Sequence, residues 1–286
     1  TKNPPLVNVP AEYRDVVIPD IGYYWIGFDF DAIEAKLASA LSGDTDDLGS
    51  FARGDDIHTI TACKMFNLPS PPLLSKAVHT APIAAMWRLL VTWQGADDRR
   101  RHLAKTCRYG LSYGTDEHAI LQARDVEKLG LTREQLLQVG KLYLKSKPQL
   151  VAWKQRTWAE CLRKREARTF LGRRRRLFPS QQEVSMFART RRPGEAAREG
   201  LNHIIQGGVA DVLNLTIKKI IDRWPDATLV LNAHDSAYFS FPEGEVVWPE
   251  IRILVEQEWE VTQGTKVRFT SEWRRVDSSG KKEALG

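Results

Sequence analysis

Cysteine is scarce. In 286 residues only Cys63, Cys107 and Cys161 occur, odd in number, far apart and without a Cys-x-x-Cys spacing. That pattern argues against a disulfide framework and a cysteine-held zinc site, and it fits an intracellular, reducing compartment. No apolar run approaches the roughly eighteen residues that a membrane-spanning helix needs, so no membrane partner is expected. No signal-peptide pattern is present, and the first residue is Thr1 rather than Met. The chain therefore reads as a fragment or a processed product. Internal repeats and long low-complexity tracts are also lacking, which sets repeat architectures aside.

What is present suits a folded enzyme or binding domain. A hydrophobic content of 42% supports a packed core in one large domain or two smaller ones. The net charge of +6 is a mild basic excess, which fits a polyanionic partner without demanding one.

Aromatic and β-branched residues at Tyr23–Phe28 predict a buried strand running into Asp29-Phe30-Asp31. Ile33, Leu37 and Leu41 then recur at helical spacing, and Gly43 ends the pattern. Further helices are expected at 55–66, at 84–93 (after a proline-rich loop), at 99–113 and over most of 133–168. A basic turn follows at Gly172-Arg173-Arg174, then a polar loop over 181–194 and a long helix over 196–224 ended by Pro225. Two alternating strands, 228–233 and 236–241, flank a bend at His234-Asp235. A helix at 250–260 and a strand at 266–275 close the chain. The order predicts an α+β fold, an antiparallel sheet domain with a large helical insertion.

Asp29 falls at a strand end and Asp235 at a hairpin tip, each beside residues suited to burial. A buried carboxylate is costly unless a cation or hydrogen bonds compensate it. Brought together, the two acids would hold a pair of divalent metals, and Mg²⁺ suits phosphate chemistry because it uses few carboxylates. On spacing alone, each Asp reads more readily as a turn or cap residue.

Six segments, in order, alter that balance. Asp29-Phe30-Asp31-Ala32-Ile33-Glu34, continuing to Leu41-Ser42-Gly43-Asp44, resembles motif A of family A DNA polymerases, the bacterial polymerase I type. Asp55-Asp56-Ile57-His58-Thr59 resembles the family's Asp-Ile-His segment, and Arg101-x3-Lys105-x3-Tyr109-Gly110-x2-Tyr113-Gly114 resembles motif B. Gly172-Arg173-Arg174 resembles a Gly-Arg-Arg turn, Arg198-x3-Asn202-x3-Gln206-Gly207 a palm helix, and Ala233-His234-Asp235 motif C. Even Leu6–Pro10 is similar to the stretch leading into motif A.

The resemblance implies a palm (1–50 and 196–286) with fingers (51–195) inserted, the motif B helix lying at 99–114. It implies a template-directed DNA polymerase that adds dNTPs to a primer by two-metal chemistry, with Mg²⁺ as cofactor and Mn²⁺ able to substitute. Asp29, Asp235 and the Phe30 carbonyl would bind metal. Arg101, Lys105 and His58 would hold the triphosphate, while Tyr109 and Tyr113 pack on sugar and base. Glu34 would crowd the sugar 2′ position as a steric gate, although Asp31 and Glu34 also have capping-box spacing. Tyr109, through its hydroxyl, is expected to favour dideoxynucleotides. Arg198, Asn202, Gln206 and His234 would meet primer and template, and Arg173 and Arg174 template phosphates. Eight Lys or Arg residues between Arg163 and Arg176 extend that track.

Three departures stand out. Ser236 follows Asp235 where the family usually carries Glu, Ala32 stands in place of its Gln, and Lys36 in place of its Arg. Residues 70–98 read as an insertion. No segment resembles the thumb or the 3′–5′ exonuclease, so the chain is expected to be the C-terminal part of a longer polymerase. The rivals are a catalytically weakened primer–template binding module, motivated by Ser236 and Ala32, and a single-subunit RNA polymerase, against which Glu34 argues.

Overall fold

The computed structural model describes residues 17–66, 99–112, 117–122, 130–244 and 247–285. The stretch at 1–10, the insertion at 70–98 with its helix at 84–93, and Tyr113-Gly114 lie outside the described residues, as does the side chain of Tyr109. The chain forms two compact units: the described parts of 1–34 and 206–286, and those of 35–205.

The first unit is built on strand β1 (Tyr23–Phe30). Its even-numbered residues Tyr24, Ile26, Phe28 and Phe30 are buried, as the period of two requires for one covered face. β1 is the middle of a five-stranded antiparallel sheet ordered β4-β5-β1-β8-β9. The other strands are β4 (Thr228–Ala233), β5 (Ser236–Pro242), β8 (Ser271–Val276) and β9 (Lys282–Leu285). Phe28 packs against Phe30 and Trp273, each with ring centroids 5.4 Å away, and Trp273 meets Trp248 at 4.7 Å. On the opposite face the Tyr238 ring lies over Gly27, where a Cβ would come within 2.2 Å of it. Only glycine admits that approach. The buried Glu256 carboxylate accepts hydrogen bonds from the Ser271 N–H (3.0 Å) and hydroxyl (3.1 Å), which fixes where β8 begins.

The second unit is largely helical. It holds α1 (Ile33–Ser42, all but its first two residues), α2 (Thr45–Arg53), α3 (Ile57–Phe66), α4 (Arg99–Ser112), α5 (Arg133–Ser146), α6 (Pro148–Lys164) and α7 (Gln181–Thr190). A hairpin of β2 (Glu166–Arg168) and β3 (Arg174–Arg176) precedes α7. The long helix α8 (Glu195–Arg223) begins in this unit and continues into the first. One core gathers Cys63, Leu103, Cys107, Leu111, Leu136 and Tyr143 from α3, α4 and α5. Another gathers Trp153, Trp158, Phe187 and Leu201 from α6, α7 and α8.

Several elements depart from expectation. Helix α2 was not anticipated: it is poor in large apolar residues, and local signals start and stop it. Asp44 accepts from the Asp47 N–H at 3.0 Å, and Gly54 closes the helix in the left-handed region at φ 71°. The stretch 181–194, expected as a loop, contains α7, started by Ser180 accepting from the Glu183 N–H at 3.1 Å and anchored by buried Phe187. The helical stretch 133–168 is two helices, because Pro148 can begin a helix but not continue one. The expected helix at 250–260 is α9 (Trp248–Val255), and the expected strand at 266–275 is two, β7 (Thr265–Arg268) and β8. Glu258–Thr262 is strand β6, paired with β7 across a turn at Gly264, φ 78°.

Phe28→Ala is expected to cost about 3–5 kcal/mol and Phe28→Leu about 1–1.5 kcal/mol in denaturant unfolding. A cost under about 1 kcal/mol for Phe28→Ala would show that β1 is not the core strand.

Candidate active site

Asp29 is the penultimate residue of β1, on the face opposite the buried aromatics. The strand register sets it across from Ser236 on β5 and Glu272 on β8. Directly opposed residues in antiparallel strands have Cβ atoms roughly 4.5–5.5 Å apart, so these three share one row. Asp235 lies in the two-residue turn between β4 and β5, where Ala233 pairs with Ser236. The Phe30 N–H donates to the Asp235 carbonyl at 3.1 Å. That bond docks the hairpin tip on the end of β1 and brings both acids to one end of the sheet.

The turns beside the acids are strained. His234 adopts φ 55°, and Ala32, within motif A, φ 51°. A side chain in the left-handed region costs on the order of 1 kcal/mol, and such residues concentrate at functional sites. Asp31 is held by Thr270, whose carbonyl accepts the Asp31 N–H at 2.8 Å and whose hydroxyl donates to its carboxylate at 3.4 Å. Glu34 is half-buried in the first turn of α1.

Burial pushes the Asp29 carboxyl up to about 6, helped by the negative charges of Asp235, Glu272 and Asp31 and opposed by Arg274. Asp235 is raised too, chiefly by burial, against a backbone hydrogen bond and the His234 charge. Two acids that destabilise their own ionised forms suit a divalent cation with a preference for hard oxygen ligands. Among the described residues no group of three or more His, Cys, Asp or Glu side chains is arranged to hold a metal. Mg²⁺ commonly uses one or two carboxylates and completes its shell with water and phosphate oxygens, so the pair fits. Glu272 escaped the sequence reading because strand register is not legible in one sequence. Ser236, where an acid was expected, donates its hydroxyl to the Ala233 carbonyl at 2.9 Å and braces the turn.

In the helical unit, α4 turns Leu103, Ala104, Cys107 and Leu111 inward and Lys105 outward. Arg101, expected to await a triphosphate, is engaged by Asp56: its Nε bonds Oδ2, and its Nη2 bonds Oδ1 at 3.1 Å. His58 is half-buried on α3. Burial, then the Arg108 charge, push its imidazole down to about 3. At neutral pH the ring is therefore uncharged.

Arg198, Asn202 and Gln206 follow one another every four residues along α8, a single slowly turning stripe. Arg198 and Gln206 are exposed. The Asn202 Oδ1 is buried without a hydrogen-bond partner among the described residues. Arg173 to Arg176 are all exposed on the β2–β3 hairpin. The turn is held by the Thr169 N–H on the Arg173 carbonyl (3.0 Å) and by the His203 ring on the same oxygen (3.1 Å).

An antiparallel sheet with one acid at a strand end and another at a hairpin tip, and a helical block inserted between them in sequence, is the arrangement of a polymerase-type palm and insertion. The chain belongs to DNA polymerase family A, whose family model matches residues 1–275. It is 26% identical over 269 residues to the thermostable DNA polymerase I of Thermus thermophilus and 26% identical over 268 residues to DNA polymerase I of Lactococcus lactis. These alignments cover 91% and 90% of this chain but 28% and 27% of those proteins. The chain thus spans under a third of their length. Among solved structures, the fold is similar to the POL domain of Pol1 from M. smegmatis, in complex with DNA primer-template and dNTP. That match has a TM-score of 0.68 and 21% identity, and covers 96% of this chain and 44% of that one.

A carboxyl raised from 3.8 to about 6 holds its proton more tightly in the folded state than in the unfolded chain. Its contribution to stability is full below the unfolded value and is lost as pH rises through about 6. Asp29→Asn should therefore raise the Tm of the metal-free protein at pH 7.5 by roughly 2 °C, allowing for solvent screening, and change it far less at pH 4. Thermal unfolding at the two pH values checks this; equal shifts at both would contradict it.

Proposed function

We propose that the chain supplies the palm and fingers of a template-directed DNA polymerase that extends a primer 3′-hydroxyl with dNTPs and releases pyrophosphate. The observation that carries this reading is the Phe30–Asp235 hydrogen bond, which joins the ends of motifs A and C and gathers Asp29 and Asp235 at one end of the sheet. The similarity to polymerase I proteins and the family match support it. So does the M. smegmatis domain, which is in complex with DNA primer-template and dNTP. Among the described residues, no helix is long and apolar enough to cross a membrane.

In this reading the palm is 1–50 with 196–286, built on the five-stranded sheet, and the fingers are 51–195. Asp29, Asp235 and the Phe30 carbonyl hold two Mg²⁺ ions, or Mn²⁺ in their place, which when bound supply an activated hydroxyl and charge balance on the leaving group. Lys105, exposed on α4, meets the triphosphate. Arg101 joins it by sharing its guanidinium with Asp56, and His58 adds a neutral donor. Tyr109 and Tyr113 pack on sugar and base, and Glu34 crowds the 2′ position and so selects deoxyribonucleotides. Arg198, Asn202 and Gln206 offer donors to minor-groove acceptors common to all base pairs, which checks pair shape without reading sequence. His234 meets the primer end, and Arg173 and Arg174 the template phosphates. The rest of a longer polymerase chain is the expected physical partner.

Primer extension by the full-length protein tests this reading. Asp29→Ala and Asp235→Ala are each expected to lower the rate by about a thousandfold or more, the loss of several kcal/mol of transition-state stabilisation. Lys105→Ala is expected to lower it by roughly a hundredfold. Wild-type protein that binds primer–template but extends nothing would instead establish the binding-module reading, which the missing acid at Ser236 favours.

A further inference from the structure

Helix α4 is held by more than its apolar seam. The seam of Leu103, Ala104, Cys107 and Leu111 is non-directional: it pulls the helix inward but discriminates weakly among small rotations and slides. Two arginines add direction. Arg101 is bonded to Asp56 through two nitrogens. Seven residues on, Arg108 donates one Nη to Asp47 Oδ2 at 3.1 Å and to Thr61 Oγ1 at 2.8 Å. Seven residues advance a helix by about 10.5 Å and return to within about 20° of the same side, so both anchors lie on one stripe facing α2 and α3. Lys105, between them in sequence, is turned outward.

The second anchor is part of a buried ion cluster. Asp47 is 1% exposed and Arg108 5%. Lys147, at the joint of α5 and α6, bonds the other Asp47 oxygen and reaches Asp44 Oδ2 at 3.5 Å. The cluster holds two cations and two anions. Burial favours neutral forms, yet Arg108 and Lys147 hold Asp47 below the usual carboxylate range, so the pairing is ionic. It ties together the start of α2, the middle of α3, the last turns of α4 and the α5–α6 joint. Beyond it, Lys154 donates to the Leu111 carbonyl at 2.8 Å and grips the C-terminal end of α4. Burying four charges is an expensive way to gain stability, since apolar side chains of similar volume often serve as well or better. What charges add is direction: only one rotation and one axial position of α4 satisfy Asp47 and Thr61 together.

We propose that Arg108, with Asp47 and Lys147, positions the nucleotide-binding face of α4: the buried cluster fixes the register in which Lys105 meets an incoming nucleoside triphosphate. Arg108 is a positioning residue, since it is buried and acts through Lys105. The proposal rests on the reading of α4 as the dNTP helix. A misplacement of about 1 Å at a reacting group can cost a hundredfold in rate, so a slack helix should show first in nucleotide use.

The test compares wild-type full-length protein with Arg108→Lys, which keeps the charge but, being shorter and lacking the planar guanidinium, cannot set its nitrogen where the Arg108 Nη meets Asp47 and Thr61 at once, and with the apolar pair Asp47→Leu/Arg108→Met, which leaves Lys147 beside Asp44. Lys105→Ala serves as reference. Tm, primer–template Kd, and KM and kcat for dNTP are measured. The expected result is a dNTP KM raised tenfold or more in both variants, with Tm within a few degrees and primer–template Kd within twofold of wild type. An unchanged dNTP KM in a folded variant overturns the proposal, and if the apolar pair does not fold, Arg108→Lys alone decides. If Lys105→Ala leaves the dNTP KM unchanged, the reading of α4 itself fails, a separate outcome that overturns the proposal along with it.

Discussion

The register of the sheet around β1 is the constraint on which the site depends. Because β1 is central, with its even-numbered side chains locked among Phe239, Phe241 and Trp273, it cannot slip by one residue without turning its aromatics to solvent. That lock determines what faces Asp29: Ser236 on one side and Glu272 on the other. The hairpin carrying Asp235 is fastened to the same strand by the Phe30 N–H. The aromatic core and the paired acids are thus two faces of one alignment. Damage to the first is expected to reach the second even when no acidic residue is touched.

The two units handle charge differently. The sheet gathers Asp235, Glu272 and Asp31 around Asp29 with Arg274 opposing them, and Asp29, chiefly through burial, carries a raised pKa. The helical unit keeps its acids neutralised: Asp56 by Arg101, and Asp47 by Arg108 and Lys147. One unit is therefore prepared for cations, and the other spends acidic side chains on fixing its own cations in place. His58 is kept neutral by burial first and then by the positive charge of Arg108.

Much of this was legible in the sequence, for physical reasons that differ from element to element. β1 and the β4–β5 hairpin announce themselves by alternation and β-branched or aromatic content, and the long helix α8 by its length and terminal proline. The acids Asp29 and Asp235 could be singled out because each stands at the end of such an element. Helix α2 and α7 were illegible because their ends are set by single capping side chains, Asp44 and Ser180, rather than by an apolar stripe. β6 and β7 were absorbed into a neighbouring helix and strand because strands of four and five residues scarcely establish a period. Glu272 and the Asp47–Arg108–Lys147 cluster depend on tertiary register, with partners up to 100 residues or more apart in sequence, and no local pattern marks them.

Binding of Mn²⁺ to the full-length protein, followed by electron paramagnetic resonance with Asp29→Asn and Asp235→Asn beside the wild type, tests most directly the claim that these two acids form one cation site. If they do, each substitution alone weakens binding at least about tenfold, because an ion shared by two carboxylates loses a large part of its inner shell with either. Wild-type affinity in both variants would contradict it.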